Sequence, residues 1–455
     1  MRAARHVGQG HGARAWRALD ATCRRGVSEG VAPGIVMLVG NSHEILFHRA
    51  YGSRALVPTR LPMLPDTVFD VASLTKPIAT TTAMMLLARD GRVRLDDPVS
   101  AVVPEFSEGA KSAVTFRQLL NHTSGLPAWK PYYEAAPHVV PAPLTSGTVP
   151  VSGSVRPVPG SAHPVSGIPA KAAVSKPMRH SPPESSFPRK RESRGGEAGK
   201  RFSSAPPPPL DSRFRGNDDS EGWRHRVHAE PLVAAPGDKA CYSDLGFILL
   251  GEAVERLTGT SLDRFCGDEI FGPLGLSATF FVDLDASCHR ARPSAVHTLA
   301  ATEDCPWRGR ILCGDVHDDN AFAMGGVAGH AGLFSSAPDI HRFLRFLGRC
   351  REDGEPDFLP GAIVREFLEA ERPLPGQTHV LGWDTPSPRG SSSGARFSAR
   401  TVGHLGFTGT SMWWDMERDV HVILLTNRVH PSRDNDAIRE FRPRVHDAAM
   451  EALVS

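Results

Sequence analysis

Residues 137–228 cannot build a core, and this stretch dictates how the rest of the chain must fold. The segment is crowded with Pro, Ser and Gly, includes the run Pro206–Pro209, and holds fourteen Lys/Arg against seven Asp/Glu. It has almost no periodic apolar pattern, so the surface it can bury does not offset the entropy of ordering it. A folded unit must therefore be assembled from what lies on either side. The expected organisation is an N-terminal extension at 1–24, a single discontinuous domain made of 25–136 and 229–453, and a disordered Pro/Ser/Arg-rich insertion at 137–228. The 455-residue chain is 40% apolar, enough for a sizeable core, and its net charge is only +2. With the insertion basic, the remainder is net acidic, and nothing points to nucleic acid as a partner.

The insertion contains echoes: Pro150-Val151-Ser152-Gly153 returns as Pro164-Val165-Ser166-Gly167. The word Ser186-Phe187-Pro188-Arg189-Lys190-Arg191-Glu192-Ser193-Arg194 resembles peptides translated from bacterial intergenic palindromic repeats. That resemblance implies a repeat element inserted in frame within an older gene. No stretch reads as a membrane span, and the basic N-terminus, Met1 to Ala18, lacks the apolar centre of a signal peptide. A cytoplasmic product is expected. The seven cysteines are scattered and read as reduced thiols; Cys305, Cys313 and His317 lack a four-ligand zinc spacing, so no metal is expected.

Outside the insertion the pattern is mixed α and β. Gly34 to Gly40 and Glu44 to Ala50 read as strands joined by a short turn, and Ser411 to Asp415 with Val420 to Thr426 as a late hairpin. Helices are expected at Ile78–Arg89, Leu245–Leu257, from Pro338 to Leu347, and at Asp436–Leu453. Late strands pairing with early ones around a helical middle would make one α/β sandwich.

Three local patterns carry chemistry. In Ser73-Leu74-Thr75-Lys76 the lysine lies one helical turn after the serine, on the same face, where it can activate a poor nucleophile. Pro77 marks a helix start. Tyr242-Ser243-Asp244 directly precedes an apolar helix; a tyrosine brought beside Lys76 would have its pKa lowered by the ammonium and act as general base. Gly403-His404-Leu405-Gly406-Phe407-Thr408-Gly409 leads into a strand, and the N–H of Phe407 with that of Ser73 could form an oxyanion hole.

In this order the three patterns resemble those of the class C β-lactamase and DD-peptidase group of serine hydrolases: Ser-x-x-Lys, then Tyr-x-Asn/Ser/Asp, then a Lys/His-x-Gly strand. Leu119-Leu120-Asn121-His122-Thr123-Ser124-Gly125-Leu126 and Pro273-Leu274-Gly275-Leu276 add to it. The resemblance implies a β-lactamase/transpeptidase-like fold, an antiparallel sheet flanked by helices with a mostly helical subdomain. It implies Ser73 as nucleophile, Lys76 as its activating partner and Tyr242 as acid/base. Asp244, His404, Gly406 and Phe407 would bind substrate, and no cofactor is needed.

Departures from the pattern bear on substrate. An ionised Asp244, where Asn is usual, only accepts hydrogen bonds and would repel a carbonyl. Leu405 lacks the hydroxyl that helps hold a substrate carboxylate, and His404 is mostly neutral where Lys would be charged. These changes weaken recognition of an anionic β-lactam. The expected function is hydrolysis of a small ester or amide, by a carboxylesterase or a peptidase/amidase acting on peptidoglycan fragments. The alternatives are a penicillin-recognising protein that acylates without turnover and a decaying pseudoenzyme. His122, His317 and His330 read as bracing residues, His122 hydrogen-bonding a turn.

Overall fold

Strand β1 (Gly34–Gly40) is buried along its whole length, a condition that demands a partner on each edge and a packed layer on each face. It has both. In chain order the remaining strands of its sheet are β2 (Ile45–Ala55), β3 (Leu61–Pro62), β4 (His379–Val380), β5 (Trp383–Asp384), β6 (Thr401–Leu405), β7 (Ser411–Asp415) and β8 (Val420–Thr426). They pair antiparallel in the order β3-β2-β1-β8-β7-β6-β5-β4. The expected early–late pairing is thus the centre of the sheet, with Val36 opposite Leu425 and Leu38 opposite Ile423.

The computed structural model describes residues 15–135, 220–284, 298–372 and 374–453, all within one compact unit. Its helices include α1 (Ala15–Ser28), α2 (Thr82–Arg89), α3 (Ser220–Ala229), α4 (Asp244–Thr258), α5 (Ala337–Arg351) and α6 (Ile438–Ala452). Alternation along the central strands divides the core between two faces. Ile35, Met37, Val39, Val422 and Leu424 pack with Leu19 and Cys23 of α1 and Phe441 and Val445 of α6. Val36, Leu38, Ile423 and Leu425 join a larger core with Met84 of α2, Leu249 of α4 and Phe343 of α5. Among the described residues no helix is long and apolar enough to cross a membrane.

Three expectations change. The described part of the 1–24 extension is core helix: Leu19 and Cys23 of α1 are fully buried, on an apolar face that Trp16 and Val27 extend. The last residues of the expected insertion, 220–228, belong to α3. There Val227 is fully buried and His228 pairs with Glu252 of α4 at 2.8 Å. Most of the insertion, 137–219, lies outside the described residues. The helix expected from Ile78 begins earlier, as a π-helical turn over Lys76–Thr81 with Pro77 in its first turn, before α2 takes over. Such wide turns are frequent at functional sites.

Candidate active site

Ser73 lies on a 3-10 turn, Ala72–Leu74, between the two-residue strand Phe69–Asp70 and the π-helical turn. Ala72 has a φ of 48°, a left-handed conformation that costs a side-chain-bearing residue about 1–3 kcal/mol and persists only when its surroundings enforce it. Asp70 supplies the enforcement. Its buried carboxylate accepts the Ala72 N–H at 2.8 Å and the His317 N–H at 2.6 Å. Sequence reading passed over Asp70; the signal available was a lone charged residue inside an apolar run.

Lys76 is completely buried. Its Nζ donates to Ser73 Oγ at 2.9 Å and to the His330 carbonyl at 3.1 Å, and pairs with Asp244 at 2.7 Å. Two hydrogen-bond acceptors and one carboxylate ion pair suit an ammonium, which has only donors to offer. Burial works against that charge, but Asp244 and Tyr242 outweigh it and the Lys76 pKa is raised. The charge of Asp244 is therefore engaged by Lys76, which weakens the repulsion of a substrate carbonyl expected from an unpaired carboxylate.

Tyr242 is placed by a template formed by residues 122–128. The Cys241 N–H donates to the His122 carbonyl (2.8 Å), the Ser243 N–H to His122 Nδ1 (3.0 Å), the Ser243 hydroxyl to the Pro127 carbonyl (2.7 Å) and the Asp244 N–H to the Ala128 carbonyl (2.9 Å). Ser243 also caps α4, accepting the Gly246 N–H. The Lys76 ammonium lies 5.0 Å from the centre of the Tyr242 ring. That ring lies among those of His122, His379 and His404, at centroid separations of 4.6, 5.7 and 6.1 Å. The expected lowering of the Tyr242 pKa is reversed: burial raises it, Asp244 adds to the rise, and the pull of Lys76 does not compensate. The resting cleft holds an ammonium and a neutral phenol.

The third pattern is bolted to the nucleophile's turn. Thr408 Oγ1 donates to the Asp70 carbonyl at 2.8 Å and Thr410 Oγ1 to the Val71 carbonyl at 3.0 Å. Gly406 is required by this approach, since a Cβ there would lie 2.5 Å from the Val71 oxygen. The Gly406 N–H pairs with the Thr410 carbonyl and its own carbonyl accepts from Arg442, so both its backbone groups are used structurally. Phe407 is 53% exposed, stacked with His317 and capped by the Arg428 guanidinium at 4.4 Å. His404 is buried, and its Nδ1 contacts the Leu405 carbonyl at 2.9 Å. A carbonyl only accepts, so Nδ1 carries the proton and Nε2 is a buried lone pair with no hydrogen-bond partner among the described residues. Burial, with Lys76 nearby, holds its pKa well below the ordinary value.

His330 Nε2 lies 3.0 Å from Asp318 and His317 Nε2 lies 3.2 Å from Glu303, as bracing residues would. Arg433 bridges Glu303 and Asp319 behind them. His379 was missed because its strand, β4, is two residues long and carries no readable period. Among the described residues no group of three or more His, Cys, Asp or Glu side chains could hold a metal ion.

The family model described as Beta-lactamase matches residues 19–146 and 201–444, reaching into both ends of the expected insertion. An Escherichia coli (strain K12) protein named "Putative D-alanyl-D-alanine carboxypeptidase" is 26% identical over 421 residues, covering 88% of this chain and 79% of its own length. Among solved structures, "EstCE1, a hydrolase with promiscuous acyltransferase activity" has a TM-score of 0.59 at 19% identity, over 96% of this chain and 98% of its own. Simvastatin synthase (LovD) from Aspergillus terreus has a TM-score of 0.60 at 18% identity, over 97% and 99%.

Proposed function

The chain belongs to the Beta-lactamase family and has its fold, and on that premise we propose a serine hydrolase that cleaves an ester or amide through an acyl-enzyme on Ser73. The observation that carries this reading is the 2.9 Å contact of Ser73 Oγ with Lys76 Nζ. Ser73 attacks the substrate carbonyl as its proton passes to the Tyr242–Lys76 pair, and Tyr242 protonates the leaving group. The N–H groups of Ser73 and Phe407 receive the oxyanion. Water then attacks the acyl carbon by the same proton path and frees Ser73. Because both members of the pair are held protonated at rest, the base form is populated only as pH rises, and rates climb on the alkaline side of neutrality.

The neutral His404 and the apolar Leu405 offer no fixed positive charge to a substrate carboxylate, which favours a carboxylesterase acting on a neutral acyl donor. A second reading, a peptidase or amidase on peptidoglycan fragments, is favoured by the name of the curated relatives. Hydrolysis of p-nitrophenyl esters by the full chain and by Ser73→Ala tests the core of the proposal: loss of turnover in the variant is expected, and equal rates overturn it. Comparing short acyl esters with D-Ala-D-Ala peptides separates the two substrate classes.

A further inference from the structure

We propose that His122 is a positioning residue for Tyr242, an inference that rests on Tyr242 being the acid/base group. The amide N–H groups on either side of Tyr242 both end on this one residue: Cys241 N–H on its carbonyl at 2.8 Å and Ser243 N–H on its Nδ1 at 3.0 Å. The ring itself packs against the Tyr242 ring at 4.6 Å and against Phe247, in the first turn of α4, at 5.3 Å. One residue, through its carbonyl and its ring, thus fixes the height of the Tyr242 backbone, the direction of its ring and the start of the helix behind it.

The backbone of His122 is set for this task. Its φ of 61° is left-handed, a conformation in which His and Asn are enriched among residues other than glycine. That geometry lets the carbonyl and the ring of a single residue reach the same partner segment. Accepting the Ser243 N–H requires Nδ1 to be unprotonated, which leaves the proton of the neutral ring on Nε2. Burial, together with His379, Lys76 and His404, keeps the ring neutral. A residue that only closed its own turn would need neither the ring acceptor nor the contact with Tyr242.

His122→Gly and His122→Asn decide the matter, each alone and combined with Tyr242→Phe, with thermal melts alongside ester kinetics. Glycine keeps the left-handed backbone but deletes the acceptor and the ring. Asparagine tolerates the same φ and can place Oδ1 where Nδ1 stands. His122→Gly is expected to lower kcat by about 10- to 100-fold, the scale of a small misplacement of a reacting group, while KM moves little. His122→Asn should recover most of that loss, and His122→Gly should cost little further in the Tyr242→Phe background. A folded His122→Gly with wild-type kcat, or an equal loss in both backgrounds, overturns the inference. If the glycine variant does not melt cooperatively, the asparagine variant decides alone, and a kcat reduced as far as by Tyr242→Phe overturns it. An unchanged kcat in Tyr242→Phe would remove the acid/base reading itself, and the inference with it.

Discussion

Replacing Asp244 with Asn removes the negative charge 2.7 Å from the Lys76 ammonium while keeping the size of the side chain. Two unit charges at that separation attract by about 6 kcal/mol at an effective dielectric of about 20, and by about 1.5 kcal/mol in bulk water. At 1.36 kcal/mol per pKa unit this spans about one to four pH units, and opposite charges at such range commonly act over about one to three. Lys76 and Tyr242 titrate as a pair, so the loss of the carboxylate makes the first proton of the pair easier to remove. The ascending limb of kcat/KM against pH is therefore expected to move toward acid by about one to three pH units. Stability moves the other way. The raised Lys76 pKa stabilises the fold below lysine's ordinary value near 10.4, and that contribution is lost only as pH rises through the raised value. In Asp244→Asn burial acts without its counterion, so the variant unfolds at lower denaturant at pH 7, and the deficit shrinks only in strongly alkaline buffer. Rate profiles from pH 5 to 10 and urea titrations at pH 7 measure both effects. A limb that stays in place, or one that moves toward alkali, refutes the assignment of Asp244 as the counterion that keeps the pair protonated.

Asp70→Asn sets an amide N–H₂ against one of two buried N–H donors, and is expected to cost about 1–3 kcal/mol in urea unfolding and to lower kcat, because the Ser73 turn loses its clamp. Gly406→Ala drives a Cβ to 2.0 Å from Thr410 Oγ1 and 2.5 Å from the Val71 oxygen; about 1–3 kcal/mol of destabilisation and a clear fall in kcat are expected from melts and ester kinetics. Glu303 is buried, which raises its pKa, yet the His317 ring 3.2 Å away and hydrogen bonds from Arg433 bring it down to about 2. It thus contributes about 3 kcal/mol above the ordinary carboxylate pKa, lost as pH falls from about 5 to 2. Glu303→Gln should show a flatter stability curve across that window in denaturant titrations at pH 3 and pH 7.

What was legible in the sequence was local. The three-residue spacing of Ser73 and Lys76, the continuous apolar runs at 35–39 and 422–425, and the apolar helix directly after Tyr242-Ser243-Asp244 are each set by neighbours in the chain, so the pattern survives in the letters. What was hidden depends on distant partners. Asp244 reads as a carboxylate free for substrate until the fold brings Lys76 to it. Asp70 reads as one polar letter in a hydrophobic word until Ala72 and His317 converge on it. The direction of the Tyr242 shift was misjudged because burial, invisible in sequence, outweighs the lysine that was visible. Two boundaries were readable but missed: Trp16, Leu19, Cys23 and Val27 form a helical apolar stripe, and Val227 anchors the end of α3.

The central pairing of β1 with β8 has a consequence for biosynthesis. Residues 34–40 leave the ribosome about 380 residues ahead of 420–426, the strand that covers their second edge. At about 5–20 residues per second the gap is on the order of 20 to 80 seconds. For that interval Ile35-Val36-Met37-Leu38-Val39 is an uncharged β-forming segment with an open edge, the composition that seeds intermolecular sheets. Every residue inserted between the two halves lengthens the wait. Yield of soluble protein should therefore respond to translation speed and to holding chaperones more than to the stability of the finished fold.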